Sequence, residues 1–551
     1  AERLRITMRW GRITGGLPNG LVFRLDILNN FHNSAETITE SSNEVLRVPG
    51  KYCRINIRIY ENPGNLPHAE LLDRPQDFVY AGGSTAMVRN AALFGSGILA
   101  STGIALHANK MEFLSKDPIR NEIRSNAHIK LPNVDEDNLV FGFLKNTGGD
   151  VWQPYTPRGY DGTVWAKGDI LLGDDSTTDP AKIYQASQDT HGHFVPNAMT
   201  RNDIPKLNPD DIVAGANRRN LASGTLLFTT FWAQHGDDAS TKKQIPILMK
   251  LSSVDHDNDD TTPVVTQFDK YFYVEGSLPG GDHSDTRLLA NNDEFGVPCM
   301  TPYQSREASE GEERFMLPDA DGDATGIMVD LPSRTLDVQP GLTLEVEGSF
   351  TAASWENADI VTDEDGTVLG GGVREQERPV KLNLGSPTPG GARSTIKAEG
   401  SITIEGVVQG KGSLVADENV VLQPSRVDIE SDVQSDLAVY GQNVIIKSTD
   451  SDAVESTVSF KGLVYAENNF YMFSNANLEV EGALVARTGH VYLLAGTADV
   501  GPPPEYTVTN FNSGKNLKVT YNPDYLDSLL NSSTQERTKV ELLAWRPGRD
   551  Q

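Results

Sequence analysis

The chain has little cysteine, no long apolar run and a shortage of positive charge. It contains two cysteines in 551 residues, Cys53 and Cys299, and they fit no CxxC spacing, which excludes a metal site of that type. A disulfide between them and two buried free thiols fit equally well, so the redox compartment stays open. No apolar run reaches 18 residues, so the sequence predicts no transmembrane helix.

Lysine and arginine number 48 against 76 aspartates and glutamates, which gives a formal net charge of −28 and a pI of about 4.7. Such a surface repels phosphate backbones, so broad nucleic-acid binding is disfavoured. The acidity is better explained by solubility, for instance in a saline setting. Hydrophobic residues make up 38% of the chain, below the globular average, and this suits a stack with a narrow core.

A short phrase recurs four times in residues 412–493: a small apolar strand, a polar turn, then a second apolar strand. A repeat of this length indicates a stacked architecture. Each copy holds short strands without a helical period, so we predict a mainly all-β fold built on a parallel β-solenoid (β-helix), in which neighbouring turns complete each other's core. The last polar residue before each second strand is Asn419, Asn443, Asn469 or His490.

These four polar residues predict a structural ladder along the stack. Asparagine tolerates tight bends, and stacked asparagine side chains bond one another in cross-β assemblies. The residue that follows each of them is apolar, and we expect these four residues to occupy equivalent core positions: Val420, Val444, Phe470 and Val491.

Further copies of the phrase occur upstream, at Gly97–Leu106, Ile123–Leu131 and Val164–Leu172. Residues 173–335 break the pattern, and a connection this long indicates a subdomain. The expected organisation is an N-terminal β-rich head (1–90), first solenoid rungs (91–172), an inserted β-rich subdomain (173–335), the main β-solenoid (336–501) and C-terminal closing strands (502–551).

One acidic stretch predicts a metal site. Asp319, Asp321 and Asp323 alternate, Thr325 offers a carbonyl two residues later, and Asp330 falls at the twelfth position. Oxygen ligands on alternate residues of a twelve-residue loop are typical of calcium sites. Ala324 stands where the motif has glycine. A calcium site and a plain acidic turn are both compatible with this stretch.

No catalytic motif was found: the chain has no GxSxG and no P-loop. A β-helix glycosidase or lyase would need clustered carboxylates on one face, and the acids of the clear rungs are scattered: Glu405, Asp417, Glu418, Glu467 and Glu479. We therefore predict that the protein is not an enzyme, with a β-helix carbohydrate-active enzyme as an alternative.

The tail at 519–526 and 542–546, together with Gly462–Glu467 and Gly482–Ala486, resembles PilX-type proteins of bacterial type IV pili. This group is similar to ComZ-type minor pilins, in which a β-solenoid is inserted into a pilin-like head. Its members begin with a hydrophobic helix, and the sequence here begins at Ala1 without one. The resemblance implies N- and C-terminal parts that form a pilin-like β head.

The resemblance also implies a non-enzymatic structural or adhesive protein on the cell surface, extracellular and associated with a pilus or the envelope. Its partners would be other pilus or fibre subunits, with a surface or polysaccharide ligand as a further candidate. A subunit of a self-assembling extracellular or phage fibre is the alternative, because registered rungs give a stiff rod whose open ends can pair.

Overall fold

The computed structural model describes the strands and their closest connections. The described residues are 5–12, 20–28, 36–40, 43–47, 52–60, 78–79, 96–116, 121–131, 138–148, 151–155, 162–172, 182–183, 194–195, 204, 206–213, 215–256, 263–274, 277–279, 286–289, 298–300, 313–319, 322–356, 373–374, 379–386, 391–423, 436–447, 457–500, 508–512, 514–522, 525 and 541–542. Cys53 and Cys299 each lie in a strand, and their side chains lie outside the described set.

Strands make up nearly all of the described elements. In the first third of the chain they are β1 (Arg5–Arg12), β2 (Gly20–Leu28), β3 (Glu36–Glu40), β4 (Asn43–Arg47), β5 (Tyr52–Tyr60), β6 (Phe78–Val79), β7 (Ser96–Ala100), β8 (Gly103–His107), β9 (Lys110–Ser115), β10 (Glu122–Ser125), β11 (His128–Leu131), β12 (Leu139–Asn146), β13 (Trp152–Tyr155), β14 (Thr163–Ala166), β15 (Ile170–Leu172), β16 (Lys182–Ile183) and β17 (Phe194–Val195).

The middle of the chain contributes β18 (Asn217–His235), β19 (Lys243–His256), β20 (Pro263–Tyr273), β21 (Thr286–Leu289), β22 (Pro298–Met300), β23 (Arg314–Pro318), β24 (Ala324–Asp330), β25 (Thr335–Val338), β26 (Leu342–Glu356), β27 (Val373–Arg374) and β28 (Val380–Leu384). The described residues also contain the 3-10 helices Pro209–Asp211 and Ala239–Thr241.

The last third contributes β29 (Ser394–Ala398), β30 (Ile402–Ile404), β31 (Gly406–Ala416), β32 (Asn419–Leu422), β33 (Asp436–Gly441), β34 (Asn443–Lys447), β35 (Thr457–Ala466), β36 (Phe470–Ser474), β37 (Asn477–Ala486), β38 (His490–Ala495), β39 (Thr497–Val500), β40 (Val508–Asn512), β41 (Asn516–Tyr521) and β42 (Glu541–Leu542). The predicted all-β fold is confirmed. Among the described residues no helix is long and apolar enough to cross a membrane.

The chain divides into two compact units: residues 1–211, 480–491 and 516–551 form the first, and residues 212–479 and 492–515 form the second. The five sequence ranges given above stay a prediction. Residues 36–47 form the hairpin β3–β4. Alternation of Thr and Ile suits a strand better than a helix turn.

The second unit contains the predicted parallel rungs. One face is the series β26, β29, β31, β33 and β35, in which each strand pairs in parallel with the next. A second face is the series β26, β30, β32, β34 and β36. The third pairs β25, β28 and the first half of β31. With three strands per turn in parallel register, this stack is a three-sided β-solenoid.

The interior of this solenoid is a set of apolar columns. Leu414 lies opposite Val439 and Val439 opposite Val464, while on the next face Val420, Val444 and Phe470 follow one another. All of these side chains are buried. The expectation of equivalent core positions is therefore confirmed for Val420, Val444 and Phe470, and each turn buries its apolar face on its neighbours. Val491, the fourth residue predicted, is also buried and belongs to the first unit.

The break in the repeat within the second unit is an antiparallel layer. Strand β18 pairs in parallel with β26 along the stack and antiparallel with β19, which pairs with β20. The buried side chains of this layer are large and include Phe231, Tyr271, Tyr273 and Trp355. Strands β18, β19 and β20 contain all or nearly all of the apolar runs Leu226–Trp232, Ile245–Leu251 and Lys270–Val274.

The first unit contains the three upstream copies as rungs. Strand β7 pairs in parallel with β10 and β10 with β14, while β8 pairs with β11 and β11 with β15. Strands from the C-terminal part join this stack: β37 pairs in parallel with β7, and β41 pairs in parallel with β9. Turns that are hundreds of residues apart in sequence are thus direct neighbours. At the N-terminus, β1, β2 and β5 form an antiparallel sheet.

Candidate functional site

Three of the predicted ladder residues bond one another at a corner of the second unit. The side-chain amide of Asn443 donates to Oδ1 of Asn419 at 2.9 Å, and that of Asn469 donates to Oδ1 of Asn443 at 3.2 Å. The backbone N–H of Asn469 also donates to Oδ1 of Asn443 at 3.3 Å. All three are half-buried. The ladder therefore ties three successive corners together through side chains as well as backbone.

The turn in front of each asparagine points outward. Asp417, Glu418, Gln442 and Asn468 are exposed. The amide of Asn468 donates to Oε1 of Gln442 at 3.3 Å. This outer pair is parallel to the inner ladder but is open to solvent, where a hydrogen bond contributes less to stability. The inner and outer amides thus provide a matched comparison.

Replacing Asn443 by alanine should destabilise the second unit by about 1–3 kcal/mol, because it removes one donor and one acceptor from a half-buried chain of hydrogen bonds. The matched control is Asn468→Ala on the outer pair, for which we expect about 0.5 kcal/mol or less. Urea denaturation with a common slope measures both. Equal midpoints for the two variants would show that the ladder contributes nothing specific.

His490, the fourth predicted ladder residue, belongs to the first unit. Its ring packs over Gly103, where an added Cβ atom would lie 3.0 Å from Cδ2 of the histidine. Burial, and secondarily the charge of Lys130, lowers the pKa of His490 below its ordinary value of 6.5. The fold therefore favours the neutral imidazole.

This shift predicts a pH dependence of stability. As the pH falls through 6.5, the unfolded chain takes up a proton at His490 before the folded chain does, so stability is lost on acidification and is fully present above that pH. The variant His490→Asn should lack this loss of stability as the pH falls below 6.5. Denaturation midpoints of both proteins at pH 7.5 and 5.5 check it, and parallel pH profiles would contradict it.

An aromatic column lies on the outer side of the same strands as the ladder. In register, Val421 faces Ile445 and Ile445 faces Tyr471. The ring of Tyr492 stacks on Tyr471 with centroids 5.2 Å apart and planes 8° apart, and Phe473 lies 5.7 Å from Tyr471. Tyr471 and Phe473 are buried, Tyr492 is half-buried, and burial raises the pKa of Tyr492.

A second aromatic pair lies on the neighbouring face. Tyr440 and Tyr465 are in register, with ring centroids 5.8 Å apart and planes 7° apart. Both are buried, and the Tyr440 hydroxyl donates to Oε1 of Glu467 at 3.1 Å. Stacked rings add to stability beyond the area they bury. The sequence contains a signal for the first column, because Tyr471 and Tyr492 each lie two residues after a predicted ladder residue, Asn469 and His490.

The predicted calcium stretch forms the hairpin of β23 and β24. The backbone N–H of Asp323 donates to Oδ1 of Asp319 at 2.8 Å, and the Thr325 hydroxyl donates to the carbonyl of Leu317 at 2.7 Å. Asp330 lies at the other end of β24, about 20 Å along the strand from the turn, where Oδ2 is 3.2 Å from Nε of Arg314.

The hairpin thus brings Asp319 and Asp323 together and places Asp330 apart from them, while Asp321 lies outside the described residues. Within the described part of the chain, no three His, Cys, Asp or Glu side chains form a group that could hold a metal ion. Calcium at residues 319–330 stays a prediction.

The scattered acids take up different environments. Glu405 and Glu467 are buried, whereas Asp417, Glu418 and Glu479 are exposed. Glu418 accepts a hydrogen bond from the Ser401 hydroxyl at 3.0 Å. Glycosidic cleavage requires two carboxyl groups that flank the scissile bond. The hydrogen bonds of Glu418 with Ser401 and of Glu467 with Tyr440 each involve a single carboxylate and do not form such a pair.

Comparison with protein-family models, with curated proteins and with solved structures gives no match to this chain.

Proposed function

We propose that the protein is a non-enzymatic structural and adhesive subunit on the cell surface, associated with a type IV pilus. The observation that carries this proposal is the registered parallel stack. Rungs whose interiors are filled by apolar columns leave no hollow for a substrate along those columns, and they give a stiff element that can space or present surfaces.

The corner ladder supports the same role. Side-chain bonds between Asn419, Asn443 and Asn469 lie along the stacking direction and add to the backbone ladder that joins the same rungs. A protein under tension at a surface is served by such lateral ties, because each rung must break several hydrogen bonds together before it separates from the next.

The aromatic column supports the adhesive part of the proposal. Tyr492 is half-buried and its ring is held flat against Tyr471. Tyrosine offers apolar area and a hydroxyl at a small entropic cost and is enriched in protein interfaces. The partner we propose is another subunit of the pilus or fibre.

The test is cellular fractionation followed by shearing of surface filaments from intact cells. The protein should appear in the sheared fraction and should be cleaved by protease added to intact cells. A chain carrying Val444→Asp, which removes the folded stack, is the control and should leave that fraction. Recovery of the wild-type protein in the cytosol would refute the proposal.

Binding of duplex DNA to the purified protein is a second test of the proposal. With a formal net charge of −28, few phosphates can be neutralised, so duplex DNA should not be retained at physiological salt. Tight retention there would point to a DNA-binding role instead of a structural one.

A further inference from the structure

Three side chains of complementary chemistry meet in the first unit, where two parallel strands end. Strands β9 and β41 pair in register, with Ser115 opposite Tyr521. The residues that follow them, Lys116 and Asn522, therefore leave the sheet side by side. The backbone N–H of Lys116 donates to the carbonyl of Tyr521 at 2.9 Å, which fixes the two chain segments against each other.

The third side chain, Glu481, comes from β37. Nζ of Lys116 lies 2.5 Å from Oε1 of Glu481, and Nδ2 of Asn522 donates to the same oxygen at 2.8 Å. The backbone N–H of Asn522 donates to the carbonyl of Gly482 at 3.4 Å. One carboxylate oxygen thus contacts both the amine of Lys116 and the amide nitrogen of Asn522.

The surroundings keep this group partly away from water. Asn522 is buried, and the side chains of Lys116 and Glu481 are 15% and 25% exposed. The ring of Trp152 lies 4.8 Å from Nζ of Lys116. Low access to water matters, because it limits competing hydrolysis and strengthens the interactions among the three polar groups.

An amine, a carboxamide and a carboxylate in this arrangement are the parts needed for amide exchange. The amine is the nucleophile, the side-chain carbonyl carbon of the asparagine is the electrophile, and the carboxylate can carry a proton between the attacking and leaving nitrogens. A simple ion pair would need only Lys116 and Glu481. The buried carboxamide of Asn522, which donates to the same carboxylate oxygen, supplies the electrophile that an ion pair lacks.

We propose that Lys116 and Asn522 join in an intramolecular isopeptide bond, with Glu481 as the catalytic proton carrier. Glu481 takes a proton from the Lys116 ammonium group, and the freed lone pair of Nζ attacks Cγ of Asn522. Glu481 returns the proton to Nδ2, the Cγ–Nδ2 bond breaks, and the Nζ–Cγ amide bond remains. The leaving ammonia carries off the remaining proton as ammonium. No oxidation or reduction takes place.

The fold supplies the proximity that this reaction needs. Residues 116 and 522 are far apart in the chain and become neighbours only when β9 and β41 pair, so the bond forms after folding, and the register of the two strands provides the effective concentration. The product would close a covalent loop between two distant parts of the chain. This inference is independent of the proposed surface function.

The test is the intact mass of the purified, reduced and denatured full-length chain. The wild-type protein should be lighter than its sequence by one ammonia. Proteolysis should yield a branched peptide in which Lys116 is linked to Asn522, and fragmentation of that peptide distinguishes the bond from a succinimide, which also loses ammonia but stays linear.

Three variants test whether the amine, the carboxamide and the carboxylate are each required for the bond. Lys116→Arg, Asn522→Ala and Glu481→Gln should each show the full sequence mass and no branched peptide. Lys110→Arg is the matched control, because Lys110 pairs with Glu112 at 2.6 Å and lies opposite Asn516 in register, but its side chain is 45% exposed and Asn516 is exposed as well, and it should keep the ammonia loss. A folded wild-type chain with full sequence mass after prolonged incubation would overturn the proposal, and so would a branched peptide that persists in Glu481→Gln.

Discussion

Replacing Val444 by aspartate should unfold the second unit or leave it without measurable stability. Val444 is fully buried and lies in register between Val420 and Phe470. An aspartate there would bury a charge without a partner, and the penalty is several kcal/mol, in the range of about 4 or more. Whole domains are stable by about 5–15 kcal/mol, so one such change removes much of the total.

The measurement is circular dichroism with urea denaturation, and Gln442→Asp is the matched control. Gln442 lies two residues earlier and is exposed, so the same acid there should change stability by about 0.5 kcal/mol or less. A midpoint for Val444→Asp close to that of the control would mean that this column does not form the core of the stack.

The rungs themselves could be predicted from the sequence, because a stack places the same kind of residue at the same position of each turn. Val420, Val444 and Phe470 follow three polar turn residues at a constant offset, and the structure puts them in one buried column. The same offset identified Asn419, Asn443 and Asn469, whose side chains bond in series. The repeat in the sequence therefore identifies the core and corner positions without knowledge of contacts between distant residues.

The order in which rungs stack could not be predicted in the same way. Strand β7 lies against β37, and β9 against β41, although these pairs are separated by most of the chain. Every copy offers similar apolar columns to its neighbours, so hydrophobic pattern alone does not choose among partners. Lys116, Glu481 and Asn522 come together only through that order, and no sequence motif links them.

The acidic stretch shows how little spacing in sequence decides about a ligand set. The alternation of Asp319, Asp321 and Asp323 fits a calcium loop, and the chain turns between β23 and β24 and pairs Arg314 with Asp330 across the strand ends. A strand extends about 3.3 Å per residue, so acids that are close in sequence separate quickly. Acids that alternate in sequence form one set of metal ligands only where the backbone curves into a loop, and not where it is an extended strand.

The second large effect is expected at Gly462, which lies in the middle of β35. Its φ angle of 139° lies in a region that side chains rarely adopt. A Cβ atom there would lie 1.9 Å from the carbonyl oxygen of Leu437, its register partner on the rung next to it. Since the obstacle is backbone, no rotamer change relieves it, and the rungs would have to separate.

Gly462→Ala should therefore destabilise the second unit by several kcal/mol, about 3 or more, through strain and the loss of rung pairing. The matched control is Gly514→Ala, because a Cβ at Gly514 would meet no atom within 4 Å, and we expect a change of about 0.5 kcal/mol or less there. Urea midpoints of the two variants and the wild type give the comparison. If Gly462→Ala unfolds at the same urea concentration as Gly514→Ala, the close approach of these two rungs does not exist in solution.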